Sequence, residues 1–218
     1  MIASQTEPIS FEDFLTWYPN NAGRYELIEG VIVEMLRTSQ APEFDSGVAS
    51  SPTGSYEDVA GFLAAELNLA IRTSKLPYSI SRNCLLKPPA PRSGYLPDVA
   101  VINREYIKDE PLWQKSSVIQ LGQTVPLVIE VVSTNWRDDY GHKFVEYEAM
   151  GIAEYWIVDY RALGAVRYIG KPKQPTITIC KLVEREYQME KFVKGEFLKS
   201  DIFPELKLTI DKILEATI

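Results

Sequence analysis

This chain is short of the residues on which many enzymes and metal proteins rely. It has one histidine and two cysteines in 218 residues. Cys84 and Cys180 lie far apart and belong to no CxxC pair, which argues against a zinc site. They read as reduced thiols of a reducing compartment. No apolar run approaches the roughly 20 residues that span a bilayer. Residues 1–8 lack the basic start and apolar core of a secretory signal. The expectation is a cytoplasmic protein of one domain, residues 1–218, with its core at about 10–215. Basic residues are also in the minority. With 23 Lys and Arg against 30 Asp and Glu, the net charge is −7. That argues against a general nucleic-acid coat protein, which carries a basic face. A nuclease stays open, because site acids lower the total while a local basic groove persists.

What is present is the alternation of an α/β domain. Ser10 followed by Asp13 predicts a capped helix over residues 10–17. Residues 25–35 alternate across Glu29-Gly30, which predicts a hairpin. Residues 38–55 are rich in Ser, Pro, Gly and Ala and read as a loop. Residues 56–72 carry Val59, Phe62, Leu63, Leu67, Ala70 and Ile71 on one helical stripe. Strands follow at 78–87, 95–102 and 126–132, with a short helix around 104–108. Residues 139–150 predict a helix, with Gly151 at its C-terminal cap, and 154–160 another strand. Residues 165–169, 176–182 and 187–193 read as a C-terminal meander, and 211–216 as a last short helix. The fold class is α/β, with a mixed central sheet flanked by helices.

Two of the strands carry an acid. Asp98 opens Pro97-Asp98-Val99-Ala100-Val101-Ile102, and Glu130 stands inside Leu127-Val128-Ile129-Glu130-Val131-Val132. A carboxylate in an apolar strand costs free energy unless it is paired or binds a metal. Residues i and i+2 share a face of a strand, so Asp98 lies with Ala100 and Ile102, and Glu130 with Val128 and Val132. On neighbouring strands both would point into one cleft. Such a pair suits Mg²⁺ or Mn²⁺, which take oxygen ligands and activate water toward a phosphodiester.

Lys143, Tyr147 and Met150 form one helical stripe at i, i+4 and i+7. Tyr147 and Met150 call for burial, which puts Lys143 at the inward edge near the cleft. The helix pattern alone favours a surface lysine whose stem packs and whose amine reaches water. In the cleft, its charge would stabilise charge growing on a phosphate. Glu66 shares the stripe of Val59, Phe62 and Leu63 and is either a further site acid or a stripe-edge residue. Glu57 is either a site acid or a helix-start carboxylate favoured by the dipole. Glu26 lies in a strand and is either a site acid or half of a cross-strand pair. Arg137 sits after the Glu130 strand and is a candidate phosphate contact. His142 points about 100° away from Lys143 on a helix, so a surface or capping place is expected for it.

These residues resemble a known family. Pro97-Asp98-Val99, Glu130-Val131-Val132-Ser133, Asp139 to Lys143, Tyr147 and Gly151-Ile-Ala-Glu-Tyr-Trp-Ile-Val-Asp159 are similar to the Uma2 restriction-endonuclease family of the PD-(D/E)XK nuclease superfamily. Arg24-Tyr25-Glu26-Leu27-Ile28-Glu29-Gly30 and Phe203-Pro204-Glu205-Leu206 fit the same pattern. The resemblance implies a restriction-endonuclease-like fold and a Mg²⁺ site, with Asp98 as the first acid, Glu130 as the second and Lys143 as the catalytic lysine. The superfamily places that lysine two residues after the second acid, where this chain has Val132. The resemblance also implies a histidine at the start of the 56–72 helix, where this chain has Tyr56-Glu57-Asp58.

The expected activity is Mg²⁺- or Mn²⁺-dependent endonucleolytic hydrolysis of DNA, by a homodimer formed through the C-terminal strands. The alternatives are a catalytically silent binding or regulatory module on a nuclease scaffold, and a glycosidase using Asp98 and Glu130 as its acid pair.

Overall fold

The structure is a computed structural model that describes residues 7–19, 23–35 and 54–217. The elements in chain order are α1 (Phe11–Trp17), β1 (Tyr25–Ile28), β2 (Val31–Glu34), α2 (Gly54–Thr73), β3 (Tyr78–Ser81), β4 (Leu85–Leu86), β5 (Val99–Asn103), α3 (Trp113–Ser116), β6 (Val118–Ile119), β7 (Leu127–Val131), α4 (Trp136–Tyr140), α5 (His142–Met150), β8 (Glu154–Asp159), α6 (Val166–Ile169), β9 (Thr176–Val183), β10 (Glu186–Phe192) and α7 (Ile210–Glu215). Six strands form a mixed sheet in the order β10-β9-β8-β7-β5-β3. Only β7 and β8 run parallel in it, joined by the helices α4 and α5. This is the mixed sheet with flanking helices that the alternation implied.

The apolar runs of β5, β7 and β8 are buried on both faces because helices cover both sides. On one face α2 lays Val59, Leu63, Leu67 and Ile71 against Val99, Ile129, Trp156 and Ile179. On the other, Tyr140, Tyr147 and Met150 of α4 and α5 pack on Ala100, Val128, Tyr155 and Ile157. A smaller core of Phe11, Phe14, Leu27, Leu85, Leu96 and Val118 fastens α1 and the β1–β2 hairpin to the body. The hairpin turns at Glu29-Gly30 as predicted. Ser10 and Asp13 form the predicted capping box. Among the described residues, no helix is long and apolar enough to cross a membrane.

Four expectations shift. The strand at 78–87 is interrupted after Ser81 and resumes as the separate strand β4. The helix at 104–108 is a 3-10 turn at Ile107–Asp109. The first of the three C-terminal stretches is the helix α6, so β9 and β10 form a hairpin and carry the C-terminal strands alone. Five residues, Ala-Val-Arg-Tyr-Ile, fit either period, and no flanking strand settles them. The helix expected at 139–150 is broken into α4 and α5 at Gly141, where a Cβ would stand 2.6 Å from Arg137 O. Gly151 ends α5 in the left-handed region, as expected. The loop expected at 38–55 lies outside the described residues, apart from residues 54–55, which open α2.

Candidate active site: four acids around one lysine

Strand register brings the two acids together. β5 and β7 pair antiparallel with Val99 opposite Ile129, so one further step sets Asp98 against Glu130. Both lie on the sheet face covered by α4 and α5, the face of Ala100, Val128 and Val132. The break at Gly141 separates the start of α5 from the end of α4. Lys143 enters this face with its side chain 3% exposed.

Its ammonium lies 3.2 Å from Glu130 Oε1, 3.2 Å from Glu26 Oε1 and 3.6 Å from Asp139 Oδ1. At an effective dielectric of about 20, each 3.2 Å contact is worth about 5 kcal/mol of attraction, set against several kcal/mol for burying each ion. Burial pulls the Lys143 pKa down, but Glu130, Glu26, Asp139 and Asp98 together raise it well above the usual lysine value. Lys143 is therefore a fixed cation.

The acids are held by neighbours chosen for each. Asp98 Oδ2 accepts the Val131 N–H at 2.8 Å, and Asp98 Oδ1 accepts the Tyr56 hydroxyl at 2.5 Å. Tyr147, one turn on from Lys143, donates to Glu130 Oε1 at 2.7 Å. Glu26 Oε1 accepts the Leu96 N–H at 3.0 Å. Tyr155 donates to the Asp139 carbonyl and pins the end of α4. Burial raises the pKa of all four acids, opposed chiefly by Lys143. Asp139 is pushed up to about 7.

Four buried carboxylates and one ammonium leave three negative charges uncompensated when every acid is ionised. A small cavity of about 30 Å³ opens beside Glu26, Glu130, Asp139, Lys143 and Tyr56, room for about one small ion or water. The donors are all hard oxygens, the chemistry that Mg²⁺ and Mn²⁺ take. Among the described residues, no three acids converge on one metal position, because the Lys143 ammonium stands among them. Mg²⁺ commonly binds through one or two carboxylates plus water and phosphate, so the pair Asp98 and Glu130 suffices. The residues present fit such an ion.

Asp98, Glu130, Lys143 and Glu26 thus come together. Three other candidates stand elsewhere. Glu57 pairs with Arg82 at 2.7 Å on the exposed side of α2. Glu66 is half-buried between α2 and α7, beside Phe62 and Lys212. Arg137 is exposed and lies over the ring of its neighbour Trp136. His142 is half-exposed, 3.9 Å from Glu29, as expected for a surface residue. Sequence reasoning missed Asp139, Tyr56 and the hydroxyl of Tyr147. The i, i+4 spacing of Asp139 and Lys143 was the available signal for the first; for Tyr56 it was the helix start where the family resemblance implies a histidine.

A crystal structure of a putative nuclease of DUF820 from Anabaena variabilis ATCC 29413 resembles this chain with a TM-score of 0.70 at 15% identity, covering 97% of this chain and 100% of that one. At that identity the likeness is one of fold. No curated protein matches the chain. The family model of Uma2, described as putative restriction endonuclease, matches residues 11–211, and the chain belongs to that family.

Proposed function

We propose that this protein is an endonuclease that hydrolyses DNA phosphodiesters with Mg²⁺ or Mn²⁺, held by Asp98 and Glu130. The observation that carries this reading is the surplus of buried acid around Lys143, beside a cavity of ionic size. A protein that needed only stability would bury fewer charges or balance them. Bound between the acids, the ion would supply Lewis acidity, acidifying water and polarising a phosphoryl oxygen.

The remaining work falls to the chain. Val131 N–H and Tyr56 orient Asp98, and Tyr147 orients Glu130. Three contacts to acids occupy the Lys143 ammonium. When those acids are shared with a dication, Lys143 has a donor for a phosphate oxygen and opposes the charge that builds up during attack. Glu26 and Asp139 keep Lys143 protonated and aimed. The lysine thus reaches from a helix the region that a strand lysine at position 132 would serve.

Two further parts of the reading rest on separate features. Buried, unpaired Cys84 and Cys180 fit a reducing, cytoplasmic setting. The edge strand β10, with Met189 and Val183 exposed nearby, is the surface for a homodimer.

A second reading, a catalytically silent binding module, has its own observation: both oxygens of Asp98 already have protein partners. Calorimetric titration of Mg²⁺ and Mn²⁺, paired with plasmid cleavage, separates the two. Metal binding and nicking in wild type, both lost in Asp98→Ala and Glu130→Ala, support the nuclease. DNA binding without turnover under either metal supports the module.

A further inference from the structure

A site that binds a nucleic-acid backbone beside buried acids needs cations at its mouth, and an acidic chain has few to spare. Two arginines from distant parts of the sequence meet on the short segment that delivers Asp98. Arg24, just before β1, sets its Nη2 3.3 Å from Leu96 O and 3.5 Å from Pro97 O. Arg82, just after β3, sets its Nε 3.4 Å from Asp98 O. Three consecutive carbonyls are thus held by two guanidinium groups. No sequence spacing suggests this meeting; the antiparallel pairing of β3 with β5 and the docking of the hairpin create it.

The two arginines are differently placed for a ligand. Arg24 makes no close ion pair among the described residues, although its charge helps offset the effect of burial on Asp98, and its buried Nε has no hydrogen-bond partner. Among the described residues, its side chain donates only the two long bonds to carbonyls. An orphaned N–H on a fixed cation is a costly arrangement that an anionic acceptor relieves. Arg82 is part-exposed and pairs with Glu57, itself about half exposed. Such a surface pair is weak and readily exchanged for a stronger anion.

We propose that Arg24 and Arg82 form a clamp for the phosphates that flank the scissile bond of double-stranded DNA. Guanidinium groups suit this task, because their planar fork matches two phosphate oxygens. Their anchorage to the carbonyls of Leu96, Pro97 and Asp98 ties the backbone they grip to the segment that carries the first acid into β5. The inference rests on the nuclease reading for the substrate, but its test reads binding and needs no turnover.

Fluorescence anisotropy of a labelled duplex is measured in Ca²⁺ across a series of salt concentrations, for wild type, Arg24→Gln, Arg82→Gln, the double variant and Glu57→Gln. Each arginine variant is expected to bind more weakly and to flatten the slope of log K against log salt by ~0.9, the value for one phosphate contact on B-DNA. The double variant should lose about twice that, and Glu57→Gln should tighten binding by freeing Arg82. A loss of ~0.7 per arginine, seen with a single strand only, would move the clamp to single-stranded nucleic acid and overturn the duplex assignment. Unchanged affinity and slope in both arginine variants would overturn the clamp. So would absence of duplex binding by wild type, or a fall in melting temperature with unaltered affinity. Plasmid cleavage by wild type with unaltered duplex affinity in the variants would leave the nuclease standing without the clamp. Arginine-dependent binding without cleavage would leave the clamp standing without the nuclease.

Discussion

Glu154 and Glu130 are both buried glutamates on neighbouring parallel strands, yet their surroundings are opposite. Glu154 accepts the Trp156 indole N–H at 3.0 Å, the Ser200 hydroxyl at 2.7 Å, the Ile202 N–H at 3.2 Å and the Asp201 N–H. Every partner is a neutral donor, and together they fasten the segment after β10 to the sheet. Glu130 instead faces a lysine and, within the same cluster, other acids. Burial of a carboxylate is therefore no mark of function by itself. A satisfied acid surrounded by N–H and O–H groups holds structure together. An acid crowded by other acids stores repulsion that an incoming cation relieves.

That contrast can be broken by experiment. The largest expected effect is on cleavage. Asp98→Ala, Glu130→Ala and Lys143→Ala should each lower metal-dependent nicking by ~10²–10³-fold or more, while Glu154→Ala leaves the rate per folded molecule within about twofold. Equal losses at Glu154 and Glu130 would erase the distinction. Next comes stability. Glu154→Ala strands four donors and should cost ~3–5 kcal/mol in urea melts.

The acid cluster carries a pH signature as well. The native acids have raised pKa values, so the native state binds more protons than the unfolded one. Stability of these groups' host is then full below about pH 4 and falls as pH rises toward about 7, the value for Asp139. In chelator, the urea midpoint should therefore drop between pH 5 and pH 8 by an amount worth a few kcal/mol. Added Mg²⁺ should restore it, and a drop untouched by Mg²⁺ would place the cause elsewhere. Glu130→Gln keeps the acceptor for Tyr147 while removing one charge, and should raise stability in chelator by ~1 kcal/mol. A fall instead would mean that the Lys143 contact outweighs the repulsion. Smallest of all, Glu66→Gln should shift stability by less than ~0.5 kcal/mol and leave cleavage alone.

The sequence made the central pair readable because strands have a period of two. Asp98 with Ala100 and Glu130 with Val128 already shared a face on paper, and register then closed the gap. Lys143 was readable as one end of a stripe whose other members, Tyr147 and Met150, had to be buried. Its burial was not readable, since a lysine stem covers apolar surface equally well with its amine in water. Glu26 was ambiguous for another reason. It meets Lys143 across 117 positions, and only the hairpin's docking at Leu27 and Gly94 brings it there. The break at Gly141 escaped notice because the stripe on α5 keeps its phase after the turn.

Glu26 rides on a two-stranded sheet of its own, whereas Asp98 and Glu130 share the six-stranded one. The spacing of Asp98 and Glu130 is set by ladder hydrogen bonds, which resist stretching. The approach of Glu26 is set by the packing of Phe11, Phe14 and Leu27, by backbone bonds of Leu27 with Gly94 and Gly30 with Arg92, and by the bonds of Arg24 and Glu26 to residues 96 and 97. One wall of the cavity is thus a strand of the large sheet, and the other a docked hairpin. A substitution in the small core of Phe11 and Phe14 would therefore act on Glu26 first, and leave the ladder that spaces Asp98 from Glu130 in place.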